Sequence, residues 1–250
     1  MDTARIAQLL EPFLRAPIQP APDACHSEPA RAGEEPTVLS RAQLQHISTY
    51  IDILLRWNAS INLTAIRDPE EIVTRHFGES LFAARHLFPR TTRVETTCPA
   101  EQRLASDGLR ADTNRVSVAD VGSGAGFPGL PVKLWAPHIS LTLIESNQKK
   151  ATFLREVTRA LTLTDVNIQN VRAEALANAF DLVMLRAVEN FATILPLAAS
   201  LVAPAGRLAL LIGAAQLEAA STALPQFAWS DPESIPLSRN RILAVAHCRS

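Results

Sequence analysis

The chain has 250 residues, 47% of them hydrophobic, and a formal net charge of -1. That suits a packed domain with an extension and excludes a uniformly cationic nucleic-acid coat, so any RNA contact must come from a local patch. Its three cysteines, Cys25, Cys98 and Cys248, are far apart without a C-x-x-C pair, which argues against zinc and against a disulfide framework and suits a reducing, cytoplasmic compartment.

The opening Met-Asp-Thr-Ala-Arg lacks the basic-then-apolar pattern of a signal peptide. Ile6, Leu9, Leu10, Phe13 and Leu14 share a helical face, so residues 4–15 predict a short helix. Prolines, alanines and charges over 17–36 predict a flexible linker, making 1–38 a first segment. Ser40 is an N-cap candidate for a long amphipathic helix that ends near Trp57, and the run Asn58 to Thr64 predicts a turn. Asp68 as N-cap and Pro69 at the first helical position open a second helix carrying Arg75, His76 and Phe77. A further turn or helix stops at Pro89. Residues 39–90 thus predict a helical cap, and the polar, threonine-rich 91–115 an insertion.

Residues 116–250 predict an α/β domain. Its strands fall at 116–121, 140–145, 166–170, 180–186 and 207–212, with two closing strands near 226–230 and 241–246. Helices span 127–135, from Asn147 to Leu161, 190–202 and Gly213 to Leu224. Phe191 to Ile212 is apolar enough to consider as a membrane span, but Pro196, Pro204, Gly206 and Arg207 divide it into helix, turn and strand. No internal repeat is visible.

The stretch that organises the domain is Val116 to Glu145: strand, glycine turn, helix, strand, acid. In open α/β sheets ligands bind beyond the carboxyl ends of the strands. Gly122–Phe127, Glu145, Ala173–Glu174 and Arg186 all fall there, on four consecutive strands, which marks a cofactor site. Gly124-x-Gly126-x-x-Gly129 with Glu145 fits a dinucleotide. Asp120-Val-Gly122-x-Gly124-x-Gly126 fits S-adenosylmethionine (SAM). An acid directly before the turn and Pro128 in the first helical turn favour SAM. Asp120 is read as bonding the turn's backbone.

Several spaced motifs then converge. Asn62-Leu-Thr-Ala-Ile-Arg67-Asp-Pro, Arg75-His76-Phe, the run Asp120 to Pro131, the run Glu145 to Glu156, Arg172-Ala-Glu174 and Arg186-Ala resemble the RsmG (GidB) family over roughly residues 40–250. The resemblance implies bacterial enzymes that methylate N7 of a guanine in small-subunit (16S) ribosomal RNA. It implies a Rossmann-like SAM-dependent methyltransferase fold, with a mostly parallel seven-stranded sheet and an N-terminal helical cap. Carried over, it places Gly122 and Phe127 beside the methionine and ribose of SAM, Glu145 on the ribose hydroxyls, and Ala173 and Glu174 at the adenine, with Gly124 also binding the cofactor. Arg186 falls near methyl transfer, and Asn62, Arg67 and His76 in an RNA-facing cleft. Three positions depart from the family pattern: Gly78 within His76-Phe-Gly78-Glu79-Ser80 where leucine is usual, Leu185 where serine is common, and Ile212 where lysine is frequent. Each is expected near the substrate cleft.

Guanine N7 carries a lone pair and no proton, so its methylation needs positioning and no general base. Arg186 is then an orienting group for the SAM carboxylate or a phosphate, or a strand-end ion pair. His76 could stack on the substrate or be structural. Lys149, Lys150, Arg155 and Arg159 form either a phosphate-tracking face or a solvated helix surface. A target in a loop or flipped from a ribosomal particle suits N7 chemistry better than a regular RNA helix. Two other functions use the same opening: a NAD-dependent oxidoreductase, for which no catalytic His, Lys or Tyr–Lys pair follows the sheet, and a non-catalytic RNA-binding or ribosome-assembly protein. No metal or membrane role is expected.

Overall fold

The computed structural model describes residues 1–15, 39–90, 115–176, 179–186 and 190–249. The linker over 17–36 lies outside them, as does the 91–115 insertion apart from Arg115. Helix α1 (Thr3–Arg15) opens the chain and packs Ile6, Leu10, Phe13 and Leu14 into the core of the cap. Helix α2 (Arg41–Asn58) starts at a capping box. The Ser40 hydroxyl accepts the Gln43 N–H, and the Gln43 side chain accepts the Ser40 N–H at 2.8 Å.

Buried Asn58 shapes the turn that follows. Its oxygen accepts the N–H groups of Leu63 and Thr64 at 2.9 and 3.0 Å, and its amide donates to the Thr64 carbonyl at 2.9 Å. Helix α3 (Pro69–Ile72) begins as its sequence signals predict, with Asp68 accepting the Glu71 N–H at 2.8 Å. It continues without a break through a π-helical stretch, Val73–Gly78, into α4 (Glu79–Leu87). One rod therefore replaces two expected helices. The wider π turn carries Arg75 and His76, where such turns often serve a site.

The sheet follows as β1 (Ser117–Val121), α5 (Gly129–Trp135), β2 (Ser140–Ile144), α6 (Gln148–Ala160), β3 (Val166–Gln169), β4 (Phe180–Arg186), α7 (Phe191–Ser200) and β5 (Val202–Gly213). Helix α8 (Leu217–Ala223), β6 (Phe227–Trp229), β7 (Glu233–Ser234) and β8 (Arg241–Cys248) close the domain. Across the sheet the order is β3-β2-β1-β4-β5-β8-β6, parallel through β5 and antiparallel at β8 and β6. The seven expected strands are present; the two-residue β7, which also pairs with β8, is too short to leave a sequence pattern. The turn expected at Ala203-Pro-Ala-Gly206 is a bulge inside β5. Pairing jumps from Phe180 opposite Val202 to Leu182 opposite Arg207, because Pro204 has no N–H for the ladder.

Alternation along the strands builds two cores. Val118, Leu182, Met184 and Leu211 join α5, α6 and the cap on one face. Val121, Val183, Leu185, Leu210 and Ile212 join α7 and α8 on the other.

Gly78 is explained by packing. A Cβ there would stand 2.5 to 2.7 Å from the Phe13 ring of α1. The space beside Gly78 is thus taken by an aromatic ring from α1. Gly78→Leu should cost about 1–3 kcal/mol by overpacking, and less in a Phe13→Ala background. Urea melts of the four proteins give the coupling; equal costs in both backgrounds would refute this packing account.

Candidate functional site

The glycine turn is tethered to the neighbouring strand β2. Gly122 and Ser123 donate to the Ile144 carbonyl of β2 at 2.9 and 3.1 Å. Gly122, Gly124 and Gly126 hold φ of 70°, 56° and 84°, in the left-handed region that favours glycine. Gly126 is doubly constrained: a Cβ would stand 2.7 Å from Leu130 and closer still to the Tyr50 hydroxyl. Asp120, only 1% exposed, accepts the Gly129 N–H at 3.0 Å. It bonds the turn's backbone, as its place in the sequence suggests. Burial pushes its carboxyl up to about 7, against the pull of the Gly129 bond and the Arg186 charge.

Glu145 follows the end of β2 and is buried. One carboxylate oxygen accepts the Gly124 N–H and the other the Asn147 N–H, each at 2.8 Å. Each oxygen keeps a second lone pair for a ligand hydroxyl. Asn170 braces this end from the neighbouring strand, donating to the carbonyls of Glu145 at 2.8 Å and Ser146 at 3.1 Å. Ala173 and Glu174 lie in a single 3-10 turn after β3, with Glu174 exposed. Gly122, Gly124, Glu145, Ala173 and Glu174 therefore line the ends of three adjacent strands, β1, β2 and β3.

Phe127 also follows the turn, but its side chain is buried in the cap interface. It stacks on His76 at 4.7 Å and 19°, and on Tyr50 at 5.3 Å and 3°. Phe77 meets it edge-on at 5.1 Å. The Tyr50 hydroxyl donates to the Ala125 carbonyl. Helix α2, the π stretch and the glycine turn are thereby joined. Tyr50 escaped the sequence reading because its only local signal was a place on the apolar face of α2.

Arg186, at the carboxyl end of β4, joins the cap. Its guanidinium reaches Glu79 at 2.9 Å, the Arg75 carbonyl at 2.6 Å and His76 Nδ1 at 3.1 Å. Both ends of its ion pair are buried, at 8% and 2% side-chain exposure. The strand-end ion pair is therefore an interior one. Glu79 also faces Arg75 at 3.4 Å and Arg241 at 3.0 Å. Glu79 and Arg241 had no sequence signal beyond a lone acid in an apolar stretch and a basic residue before a strand.

Because Arg186 can only donate, His76 Nδ1 accepts, and Nε2–H then donates to Thr64 Oγ1 at 2.8 Å. Burial, followed by the charges of Arg186, Arg75 and Arg241, drives the imidazole pKa down to about 3. His76 is thus a neutral wall group.

The candidate RNA contacts are dispersed. Asn62 and Arg67 are exposed on the loop after α2, and the Arg67 guanidinium lies 3.5 Å from the Asn58 carbonyl. Lys149 and Lys150 open α6, where the Asn147 side chain accepts both backbone N–H groups at 2.9 and 3.2 Å. Trp57 and Arg56 clasp Glu156 at 2.8 Å each, holding α2 against α6. No helix among the described residues is long and apolar enough to cross a membrane.

The family model described as rRNA small subunit methyltransferase G (GidB) matches residues 43–94 and 107–238. This chain belongs to the GidB family. The ribosomal RNA small subunit methyltransferase G of Xylella fastidiosa (strain M23) is 38% identical over 178 residues, covering 70% of this chain and 72% of that protein. That of Stenotrophomonas maltophilia (strain K279a) is 38% identical over 191 residues, covering 76% and 77%. A solved ribosomal protein L11 methylase from Lactobacillus delbrueckii aligns at a TM-score of 0.46 and 19% identity, over 56% of this chain and 72% of its own.

Two further departures from the GidB pattern are core positions. The side chains of Leu185 and Ile212 are 0% and 3% exposed, in the core that faces α7 and α8. The expectation that they border the substrate is corrected by strand alternation, which turns them to the second face.

Two groups of this site titrate in opposite senses. His76 binds its proton more readily unfolded, so its contribution to stability is lost as pH falls from about 6.5 towards about 3. Asp120 binds its proton more readily folded, so its contribution is lost as pH rises from about 3.8 to about 7. Asp120→Asn removes the second trend alone. The variant should lose stability more steeply than the parent between pH 6.5 and pH 4, in denaturant midpoints taken across that range.

Proposed function

We propose that this protein transfers a methyl group from SAM to N7 of a guanine in small-subunit (16S) ribosomal RNA. The observation that carries the cofactor is the Glu145 carboxylate, buried after β2 and held by the Gly124 and Asn147 N–H groups. Membership of the GidB family and relatives named small subunit methyltransferase G support the substrate.

The residues present fit the cofactor. Glu145 keeps acceptor capacity for a ribose diol, and the left-handed glycine turn lets a ligand approach the backbone after β1. Ala173 and Glu174 stand one strand further on, suited to the adenine edge. When bound, SAM supplies an electrophilic methyl carried on a positive sulfur. The protein's part is to hold guanine N7 in line with that methyl and to exclude water.

Positive charge passes to the purine as the methyl moves, so extra cations beside the base would raise the barrier. Two features answer this. His76 is kept neutral by burial and neighbouring arginines, and the Arg186 guanidinium is turned onto the Glu79 carboxylate. Arg186 therefore acts as a positioning residue that ties the cap to the end of β4.

Placed at a substrate cleft, Gly78, Leu185 and Ile212 would favour a non-catalytic relative. With Gly78 under Phe13 and the other two in a core, none takes part in the hydrogen bonds that hold Glu145 and the glycine turn.

Titration calorimetry with SAM, with NAD as control, tests the cofactor. Binding in the micromolar range is expected for SAM alone, abolished in Gly122→Asp. Glu145→Ala should weaken it about 10- to 100-fold, the worth of charge-assisted hydrogen bonds to a diol. Methyl incorporation into small subunits lacking this modification tests the substrate. A folded protein that binds no SAM, or that leaves N7 unmethylated, sinks the proposal.

A further inference from the structure

The loop between β7 and β8 carries Leu237-Ser-Arg239-Asn-Arg241. It is pinned by hydrogen bonds: Ser238 N–H to the Ile235 carbonyl at 3.2 Å, Arg241 N–H to the Ser238 hydroxyl at 3.1 Å, and Ala214 N–H to the Asn240 carbonyl at 2.8 Å. Beneath it lies a cavity of about 400 Å³ lined by Arg75, Arg239, Arg241, Thr74, Ser238 and Asn240, with Glu79 at its wall and Phe13 at its apolar end.

Charge in this cavity is unbalanced. Glu79 is the single acid in the lining, and it is shared by Arg75, Arg241 and Arg186. Among the described residues Glu71 offers Arg75 only a looser contact at 3.7 Å, and Arg239 is exposed with no ion pair. Of the lining guanidiniums, Arg241 holds its buried Nε 3.0 Å from Glu79 without a well-formed hydrogen bond. A buried guanidinium N–H short of an acceptor is costly, and an anion in the cavity would relieve both the surplus charge and that shortage.

Location indicates which anion. Arg241 pairs with Gly213 at the carboxyl end of β5, and Arg186 ends β4, so the cavity adjoins the edge where an acceptor base must enter. Leu237 is 72% exposed at the loop tip with a φ of 57°. An apolar side chain held there in a costly backbone conformation suits contact with a base face beside a phosphate.

We propose that the cavity under the β7–β8 loop, lined by Arg75, Arg239 and Arg241, seats a backbone phosphate of the RNA next to the target guanine. The identity of this ligand rests on the RNA-methyltransferase reading above. Arg239 tests it cleanly, because it is exposed and its side chain makes no hydrogen bond or ion pair among the described residues.

Binding of the intact protein to protein-free small-subunit RNA is measured across a series of KCl concentrations, alongside methyl transfer to unmodified small subunits. Arg239→Ala should weaken RNA binding roughly three- to tenfold at low salt and lower the salt slope by about one. Arg239→Lys should restore most of both, and SAM affinity should not move. Parental affinity and slope in Arg239→Ala would overturn the phosphate seat. A deficit seen with ribosomal particles but not with stripped RNA would overturn it too, in favour of a protein contact. If the parent protein fails to methylate while Arg239→Ala still weakens RNA binding, the methyltransferase reading falls and the phosphate seat stands.

Discussion

Phe127 belongs by chain position to the ligand turn and by packing to the cap. Its ring stacks with His76 of the π stretch and Tyr50 of α2, and the Tyr50 hydroxyl returns to the Ala125 carbonyl of the same turn. The left-handed glycines can hold their conformation because this aromatic stack braces one side and Glu145 the other. Aromatic pairs add about 0.5–1.5 kcal/mol each beyond area burial. The larger consequence is geometric: the cap cannot shift without moving the turn, so the two are mechanically one unit.

The same contact zone solves an electrostatic problem. Burying one carboxylate among three guanidiniums is expensive unless its oxygens are well used. Glu79 serves Arg186 by a hydrogen bond and Arg75 and Arg241 by charge contact. The surplus cation falls on the side away from Glu145, towards the β7–β8 loop. His76, squeezed by burial and those charges into its neutral form, separates that surplus from the stacked rings. A wall without added charge on one side and an anion-hungry cavity on the other suit a reaction that makes a purine cationic while holding a polyanion.

Departures from a family pattern need tertiary context before they count against function. Gly78 is short of a side chain because Phe13 arrives from a helix outside the matched region, residues 43–94 and 107–238. Leu185 and Ile212 replace polar residues at strand ends, yet their side chains turn away from the cap into an apolar core. None of the three alters the groups around Glu145.

Features governed by short-range physics were legible in the order of residues. Caps at Ser40, Asp68 and Asn147, the strand and helix periods, the glycine turn and the acid after β2 depend on neighbours within a few residues, and all stand where the pattern put them. Asp120 was legible for the same reason, bonding Gly129 nine residues on. Helix continuity through Gly78 and the bulge at Ala203–Gly206 were not, since each depends on a packed partner, Phe13 or β4. What the candidate-site side chains touch is set by contacts between distant segments. Arg186 meets Glu79 across 107 residues and Tyr50 meets Ala125 across 75. Such pairings follow from how the cap docks on the sheet, a long-range packing outcome that leaves no period or spacing in the chain.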